Sequence, residues 1–244
     1  PGFLKLTKIT WNTKAAVLEK IIQYERVHKI KDMNELKRRL GEDRRFFSYF
    51  HPALEDEPII FVQVALTNGL GKSIQEIMKP SSEGAKKYDT ATFYSISNCQ
   101  EGLSRVTLGN FLIKRVVYEI QEELPNIKNF GTLSPIPGFR DWFTTLDEKI
   151  IQNILGEIPY NNVSFLKSAG LKVGDARIVS NKKAIIKLVA HYLMNEKNKK
   201  GRPINDVCRF HLGNGAIIDD ININANVSEV GLNRSFGVMV NYLY

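Results

Sequence analysis

Residues 58–67 read PIIFVQVALT, and this stretch decides the expected fold. It is short, almost entirely apolar and rich in β-branched side chains, which is typical of a strand buried on both faces at the centre of a sheet. A polar turn at residues 68–71 follows it. Two further strands are expected on its C-terminal side, one at ATFYSIS (residues 91–97) and one across residues 130–134.

Apolar residues at helical spacing surround these strands. Five segments carry this pattern: residues 13–27, 33–40 with Asp32 as the N-cap, 111–125, 141–155 and 181–197. The last stretch, residues 215–244, alternates in polarity and contains turn residues, which predicts two or three antiparallel strands. Strands and helices interspersed in this order predict an α/β (α+β) fold, a mixed β-sheet flanked by helices.

The composition indicates one large core. The chain has 244 residues, of which 43% are hydrophobic, enough to bury a sizeable interior. No apolar run reaches the length of about 18 residues that a membrane span needs, so no membrane partner is expected. Cys99 and Cys208 are too few for a disulfide framework and have no CxxC or histidine-pair company. We therefore expect a reducing, cytoplasmic location and no metal.

The chain is also basic. Lysine and arginine number 34 against 26 aspartates and glutamates, a formal net charge of +8. Such an excess favours a polyanionic partner, which could be nucleic acid, a phosphate-rich cofactor or an acidic carrier protein. No helix-turn-helix, zinc-finger or RNA-binding aromatic motif accompanies the basic clusters. No nucleic-acid partner is expected, and solvated loops and helix ends account for the clusters.

The stretch TLSPIPGF, residues 132–139, puts the hydroxyl of Ser134 ahead of two prolines and a glycine. Each proline fixes its own φ and restricts the residue before it, so Ser134 and Ile136 are pushed toward extended conformations. A backbone held in this way aims one side chain. Ser134 is therefore a candidate functional residue.

The junction LSRVTLGNF, residues 103–111, passes through a glycine into an amphipathic helix. Unpaired amides around Leu108, Gly109 and Asn110 would face outward at the positive end of the helix dipole, a geometry that binds phosphate. The stretch lacks the lysine of a P-loop and does not match GxGxxG. An ordinary glycine-containing loop explains it about as well.

The stretch FHLGNGA, residues 210–216, puts His211 beside a Gly-Asn-Gly turn at the entrance to a predicted strand. A general acid that titrates near neutrality could be held there, and a histidine satisfied by a backbone carbonyl is the alternative. Asp141, Asp219 or Asp220 could complete a triad with the serine. No GxSxG elbow surrounds that serine, so hydrolase chemistry is not the leading interpretation.

Six segments of the chain resemble segments of malonyl-CoA decarboxylases and occur in the same order. They are HPALEDEPIIFVQVALT, ATFYSIS, LGNFLIKRVV, LSPIPGF, FHLGNGA and NYLY. The resemblance extends over nearly the whole chain, from FLKLTKITW to Tyr244. SPIPGF together with FHxxNGA is specific, so the chain is identified as similar to this family.

That resemblance implies a fold and a set of site residues. The fold is a GNAT-like acyltransferase fold, in which a twisted mixed β-sheet is splayed around an acyl-CoA thioester. The family's catalytic serine falls on Ser134 and its catalytic histidine on His211. Its malonyl-CoA-binding stretch falls on seven consecutive positions: Ser104, Arg105, Val106, Thr107, Leu108, Gly109 and Asn110.

The resemblance also implies a reaction. Loss of CO2 from malonyl-CoA or methylmalonyl-CoA would leave an enolate, which His211 protonates after Ser134 has oriented the leaving carboxylate. Asn214 would orient His211 or the thioester. CoA or phosphopantetheine would carry the substrate, and no other cofactor is expected.

Two domains and two alternative functions follow from the same resemblance. Residues 1–45 are expected to be a helical segment, the remnant of or link to a preceding domain, and residues 46–244 the GNAT-like decarboxylase domain. The two ends of the chain resemble domain boundaries, so the chain is expected to be a piece of a longer protein. One alternative is a polyketide synthase loading domain that also transfers the acyl group to an acyl carrier protein. The other, a non-catalytic acyl-CoA-binding module, is disfavoured because both catalytic positions are filled.

Overall fold

The computed structural model describes residues 3–79, 88–100, 102, 108–168 and 171–244. In these ranges seven strands form one mixed sheet, in the order β1-β2-β3-β4-β5-β7-β6. The strands are β1 (Lys5–Lys8), β2 (Arg44–His51), β3 (Leu54–Thr67), β4 (Thr90–Asn98), β5 (Asn129–Pro135), β6 (Ile217–Asn222) and β7 (Met239–Leu243).

Strand β3 contains the stretch that decided the expected fold. It pairs antiparallel with both β2 and β4, and β4 in turn pairs parallel with β5. Residues 58–66 of β3 are all buried, which explains why the stretch is apolar throughout instead of alternating. The predicted mixed α/β sheet is confirmed.

Helices connect the strands throughout the described ranges. They are α1 (Ala15–Tyr24), α2 (Met33–Arg39), α3 (Ile74–Met78), α4 (Leu108–Glu123), α5 (Phe139–Thr145), α6 (Glu148–Leu155), α7 (Ala176–Ser180), α8 (Lys182–Met194), α9 (Asp206–Gly213) and α10 (Glu229–Ser235). Two short 3₁₀ helices, Tyr160–Asn162 and Ser164–Lys167, follow α6.

The chain divides into two compact units. The first comprises Pro1–Gly71 and Ile77–Thr132, and the second comprises Lys72–Glu76 and Leu133–Tyr244. In the first unit, α1 and α2 bury apolar side chains with Phe46 and Phe61, whose ring centroids are 5.3 Å apart.

A buried carboxylate orders the end of α1 in the first unit. Glu25, the C-cap residue of α1, is only 4% exposed. It accepts hydrogen bonds from the backbone N–H groups of Val27 and His28, at 2.7 and 2.9 Å, and from Ser95 Oγ of β4 at 2.6 Å. These donors replace the water that the carboxylate lost on burial, so the loop after α1 is held to β4.

The core of the second unit is built around three aromatic rings. Phe139 and Phe143 of α5 both pack edge-to-face on Phe236, with centroid separations of 5.9 and 5.8 Å, and all three are fully buried. Helix α8 contributes one apolar face to the same core: Ala184, Ile185, Leu188, Val189, Tyr192 and Leu193.

Two expected elements differ from the structure. The helix predicted for residues 141–155 is divided, because the backbone is extended at Leu146 and α6 begins anew after Asp147. The C-terminal stretch predicted as strands alone contains α10 between β6 and β7. Ser228 Oγ caps α10 by accepting from the Gly231 N–H at 3.1 Å, a local signal that the alternation of polarity obscured.

The predicted domain boundary at residue 45 stays a prediction. Strand β1 pairs with β2, with Lys5 opposite Phe50, so residues on both sides of that boundary share the sheet. Among the described residues, no helix is long and apolar enough to cross a membrane. In the same ranges, no group of three or more histidine, cysteine, aspartate or glutamate side chains is arranged to hold a metal ion.

Candidate active site

Ser134 lies at the C-terminal end of β5 and is 6% exposed. Pro135 ends the strand because it has no N–H to donate to a neighbouring strand. The turn that follows ends at Gly138, the N-cap of α5, whose φ is +77°. A Cβ atom on Gly138 would lie 2.9 Å from Tyr192 Oη, so this turn requires glycine for both its conformation and its close packing.

His211 lies in the last turn of α9 and is 3% exposed. Asn205 is the N-cap of this helix, and its Oδ1 accepts a hydrogen bond from the Cys208 N–H at 2.8 Å; Asn214 is the C-cap. The expected turn at the entrance to a strand is present, since Asn214 and Gly215 form a turn before β6, but the sequence did not predict that His211 itself lies in a helix. The Gly-Asn-Gly stretch ends a helix, and β6 begins beyond it.

The fold of the second unit brings Ser134 and His211 together. Ser134 Oγ and His211 Nε2 are hydrogen-bonded at 3.2 Å. On the other side of the ring, His211 Nδ1 and the hydroxyl of Tyr244 are hydrogen-bonded at 2.7 Å. Three polar groups thus form a series, Ser134–His211–Tyr244, with the imidazole in the middle.

Aromatic rings enclose this imidazole. The ring of Tyr242 stacks on His211 with centroids 4.4 Å apart and planes inclined by 23°. The ring of Phe210 meets His211 edge-on at 5.0 Å. The histidine is therefore surrounded by apolar faces and has polar partners at its two nitrogens.

Burial determines the protonation of the site. It lowers the pKa of His211 to about 3, because a charged imidazolium loses its hydration among these rings. Burial also raises the pKa of both tyrosines, Tyr242 and Tyr244. In the absence of a bound anion the imidazole is therefore neutral near pH 7, and both phenols keep their protons.

Tyr244 was missed by the sequence reasoning as a site residue. The segment NYLY carries part of the family resemblance, but no role was assigned to its tyrosines. Successive side chains of a strand point to opposite faces, so Tyr242 and Tyr244 lie on one face of the chain leaving β7. That periodicity was the signal that could have grouped them.

The candidate triad does not use a carboxylate at His211 Nδ1, because Tyr244 occupies that position. Asp220 instead forms an ion pair with Lys72 at 3.0 Å, and Asp219 is exposed on β6. The view that hydrolase chemistry is not the leading interpretation is consistent with this arrangement.

Asn214 lies beside the same series. Its Nδ2 is buried and has no hydrogen-bond partner among the described residues. Interaction with Asn214 lowers the pKa of Tyr244 against the larger effect of burial, so the amide lies close to the phenol. The amide thus retains its capacity to donate.

The expected malonyl-CoA-binding stretch is described only in part. Leu108, Gly109 and Asn110 form the first turn of α4, which begins three residues before residue 111, where the sequence predicted the helix to start. Ser104, Arg105, Val106 and Thr107 lie outside the described residues. The described part of the stretch, residues 108–110, belongs to the first unit, whereas the Ser134–His211–Tyr244 series lies within the second.

Comparison with known proteins places this chain in a family. The chain is 39% identical, over 265 residues, to the mitochondrial malonyl-CoA decarboxylase of Anser anser anser, and the alignment covers 100% of the chain and 52% of that relative. The chain therefore spans about half the length of the curated relatives it matches. The crystal structure of malonyl-CoA decarboxylase from Rhodopseudomonas palustris is 43% identical with a TM-score of 0.88, covering 100% of the chain and 60% of that structure.

A more distant structure supports the fold alone. The GNAT-like decarboxylase GphF, in complex with isobutyryl-CoA, is 15% identical with a TM-score of 0.60 and covers 98% of each chain. The predicted GNAT-like fold is confirmed. The family model of the malonyl-CoA decarboxylase C-terminal domain matches residues 2–244, and this chain therefore belongs to the malonyl-CoA decarboxylase family.

Proposed function

We propose that this protein decarboxylates a malonyl-type thioester, malonyl-CoA or methylmalonyl-CoA, and that Ser134 and His211 are its catalytic residues. The observation that carries the proposal is the buried Ser134–His211–Tyr244 series in a chain of this family. Decarboxylation needs a group that orients the carboxylate, a donor for the thioester oxygen and an acid for the α carbon.

The hydrogen bonds of the series give the Ser134 hydroxyl a direction. With both tyrosine pKa values raised, Tyr244 keeps its proton and donates it to His211 Nδ1. The neutral imidazole then carries its proton on Nε2 and donates it to Ser134 Oγ. This arrangement directs the Ser134 hydroxyl proton away from the histidine, where it can be donated to a substrate carboxylate.

Binding of the anionic substrate favours protonation of His211. A carboxylate bound at Ser134 lies close to the imidazole, and an opposite charge at such a distance raises the pKa of the histidine. The proton thus enters with the substrate and forms a carboxylate–imidazolium pair. Because burial disfavours the charged ring, this imidazolium is a strong acid.

The proposed reaction balances in charge and atoms. The bond between the α carbon and the carboxylate carbon breaks, its electron pair stays on the α carbon as the enolate, and neutral CO2 leaves. The proton of the imidazolium, passed directly or through the Ser134 hydroxyl, forms the new C–H bond, and His211 returns to the neutral state. The aromatic rings of Phe210 and Tyr242 favour neutral products over the charged carboxylate.

Asn214 is the proposed donor to the thioester oxygen. Its Nδ2 is buried beside the series and has no hydrogen-bond partner among the described residues. An amide proton aimed at the oxygen that gains charge in the enolate stabilises the transition state more than the substrate. This role is one of the two that the sequence suggested for Asn214.

The phosphates of CoA are proposed to bind the stretch from Ser104 to Asn110. The support is that α4, a helix of 16 residues, begins at Leu108, so its first amides have no partner within the helix. A cytoplasmic, reducing location is proposed as well. Both cysteines of the chain are free and buried, which supports it.

The test is mass spectrometry of the CoA thioester after incubation with the isolated chain. We expect malonyl-CoA to become acetyl-CoA, or methylmalonyl-CoA to become propionyl-CoA, faster than in buffer. If neither substrate loses CO2 above the uncatalysed rate while a bound thioester is detected, the protein is a non-catalytic acyl-CoA-binding module and the proposal is wrong.

The second candidate function is a loading domain that transfers the decarboxylated acyl group to an acyl carrier protein. The net charge of +8 favours it, because carrier proteins are commonly acidic. Transfer of acetyl or propionyl to a carrier protein, detected by the mass increase of its phosphopantetheine arm, distinguishes this function from decarboxylation alone.

A further inference from the structure

One buried side chain bonds both to the turn after Ser134 and to the helix that carries His211. It is Asn205, which is 2% exposed. Its Nδ2 donates to the carbonyl oxygen of Pro137 at 2.8 Å, and its Oδ1 accepts from the Cys208 N–H at 2.8 Å. A single planar amide thus joins two elements that are distant in the sequence.

The Pro137 carbonyl is connected to Ser134 by a stiff backbone. Prolines at positions 135 and 137 fix φ on both sides of Ile136, so few torsions separate the serine from this carbonyl. Tyr192 donates a second hydrogen bond to the same oxygen, at 3.1 Å. A displacement of the carbonyl therefore moves the end of β5 on which Ser134 lies.

The other half of the amide acts on His211 through α9. Asn205 is the N-cap of that helix and satisfies one of the amides of its first turn. His211 lies in the last turn of the same helix, which has only eight residues. A displacement of the cap relative to the Pro137 carbonyl therefore changes the position of the imidazole relative to the serine.

We propose that Asn205 is a positioning residue that sets the separation of Ser134 Oγ and His211 Nε2. The inference rests on the proposed decarboxylase function of this pair. Asparagine suits the role because one side chain carries both a donor and an acceptor. Aspartate or serine at this position can cap α9, but aspartate has no proton for Pro137 and serine is too short to reach it.

Two substitutions of Asn205 retain the N-cap of α9 and therefore separate the positioning role from helix capping. Asn205→Ser retains the cap and loses the bond to Pro137, so kcat falls about 10-fold, as expected for a small misplacement of catalytic groups. Asn205→Asp retains the cap but puts a carboxylate oxygen against the Pro137 carbonyl, so kcat falls about 100-fold. KM changes less than kcat in both variants, because the proposed CoA contacts lie elsewhere.

Two further variants serve as controls. Asp32→Ser exchanges one good N-cap for another at α2, where Asp32 Oδ1 accepts from the Glu35 N–H at 2.8 Å, and leaves kcat unchanged. Tyr192→Phe removes the second donor to Pro137, together with the interaction of that hydroxyl with Asn205, and it leaves the bond from the Cys208 N–H to Asn205 Oδ1 that caps α9. We expect kcat to fall a few-fold. This variant tests the role of the Pro137 carbonyl if the Asn205 variants do not fold.

A second readout does not depend on activity. In NMR titrations of the free protein, the pKa of His211 rises toward its ordinary value in Asn205→Ser, because a loosened pair admits water, and it does not change in Asp32→Ser. This readout tests Asn205 even if the wild type proves unable to decarboxylate, which would refute only the function. The positioning role is refuted if His211 titrates identically in wild type and Asn205→Ser, or if Asn205→Asp is more active than Asn205→Ser.

Discussion

At the residue scale, the proposed chemistry depends on two opposite effects on His211. Burial among aromatic rings disfavours the imidazolium, whereas an anionic substrate favours it. The free site is therefore neutral, and the proton arrives together with the carboxylate. The same burial that lowers the pKa makes the imidazolium a better acid toward the enolate carbon.

Removing either catalytic group is expected to abolish most of the activity. Ser134→Ala and His211→Ala should each lower kcat about 100-fold or more, since positioned acids and hydrogen-bond donors contribute on that scale. Ser180→Ala removes an exposed hydroxyl whose bond is to the Ala176 carbonyl, and it should have wild-type kinetics. Wild-type turnover by a folded Ser134→Ala or His211→Ala variant would mean that the roles are assigned wrongly.

Tyr244 is expected to act through the tautomer of His211. Tyr244→Phe removes the donor to Nδ1, so the Nε2–H tautomer loses its preference and kcat should fall about 10-fold with little change in KM. The matched control is Tyr118→Phe, since Tyr118 is 63% exposed on α4. A loss of activity equal in both variants would show that the phenol has no specific role.

The low pKa of His211 also makes stability depend on pH. Its folded pKa of about 3 lies below the ordinary value of 6.5, so the unfolded chain binds more protons between these values, and stability is lost as the pH falls through this window. At pH 5 the wild type should lose about 2 kcal/mol relative to pH 7.5 through this residue. Urea unfolding of wild type and His211→Gln at both pH values measures the difference.

That comparison isolates one group, because other titrating residues are common to both proteins. The difference in free energy of unfolding between wild type and His211→Gln should shift in favour of the variant as the pH falls. A difference that is constant between pH 7.5 and pH 5 would show that the histidine is not held neutral by the fold.

At the element scale, the strands around residues 58–67, 91–97 and 130–134 were predictable because their composition and spacing are local. Helix α9 was not predicted, although Asn205 followed by Asp206 is an N-terminal signal, because the adjacent Gly-Asn-Gly was interpreted as a turn at the entrance to a strand. The pairing of Ser134 with His211 was suggested only by the family resemblance. Their positions are 77 residues apart, so tertiary packing alone brings them into contact.

The turn between β5 and α5 allows a matched test of packing. Gly138→Ala should lower the free energy of unfolding by about 2 kcal/mol, since a positive φ is strained for alanine and the new Cβ lies 2.9 Å from Tyr192 Oη. Gly174 has the same φ of +77°, but a Cβ atom at that position would have nothing within 4 Å, so Gly174→Ala carries only the backbone cost. If thermal or urea unfolding shows the same loss of stability in both variants, the contact of the new Cβ with Tyr192 does not contribute.

At the scale of the whole molecule, the second unit alone contains the proposed catalytic groups. Ser134, His211 and Tyr244 all lie in its range, together with Asn205 and its contacts. The first unit contains the start of α4, where the CoA phosphates are proposed to bind. Substitutions in the first turn of α4 are therefore expected to affect KM, whereas those in α9 affect kcat.

The charge of the whole chain yields a prediction about the carrier of the acyl group. A net charge of +8 attracts an acidic carrier protein over a broad surface, whereas the charges of a CoA thioester are confined to its phosphates and its carboxylate and make local contacts. If the protein is a loading domain, a malonyl or methylmalonyl carrier protein should be decarboxylated faster than the CoA thioester at equal concentration. Raising the salt from about 50 mM to about 500 mM should then reduce kcat/KM for the carrier more than for CoA, because salt screens long-range attraction. A protein that acts on CoA thioesters alone, with the same salt dependence whether or not a carrier protein is present, would be a decarboxylase without a loading function.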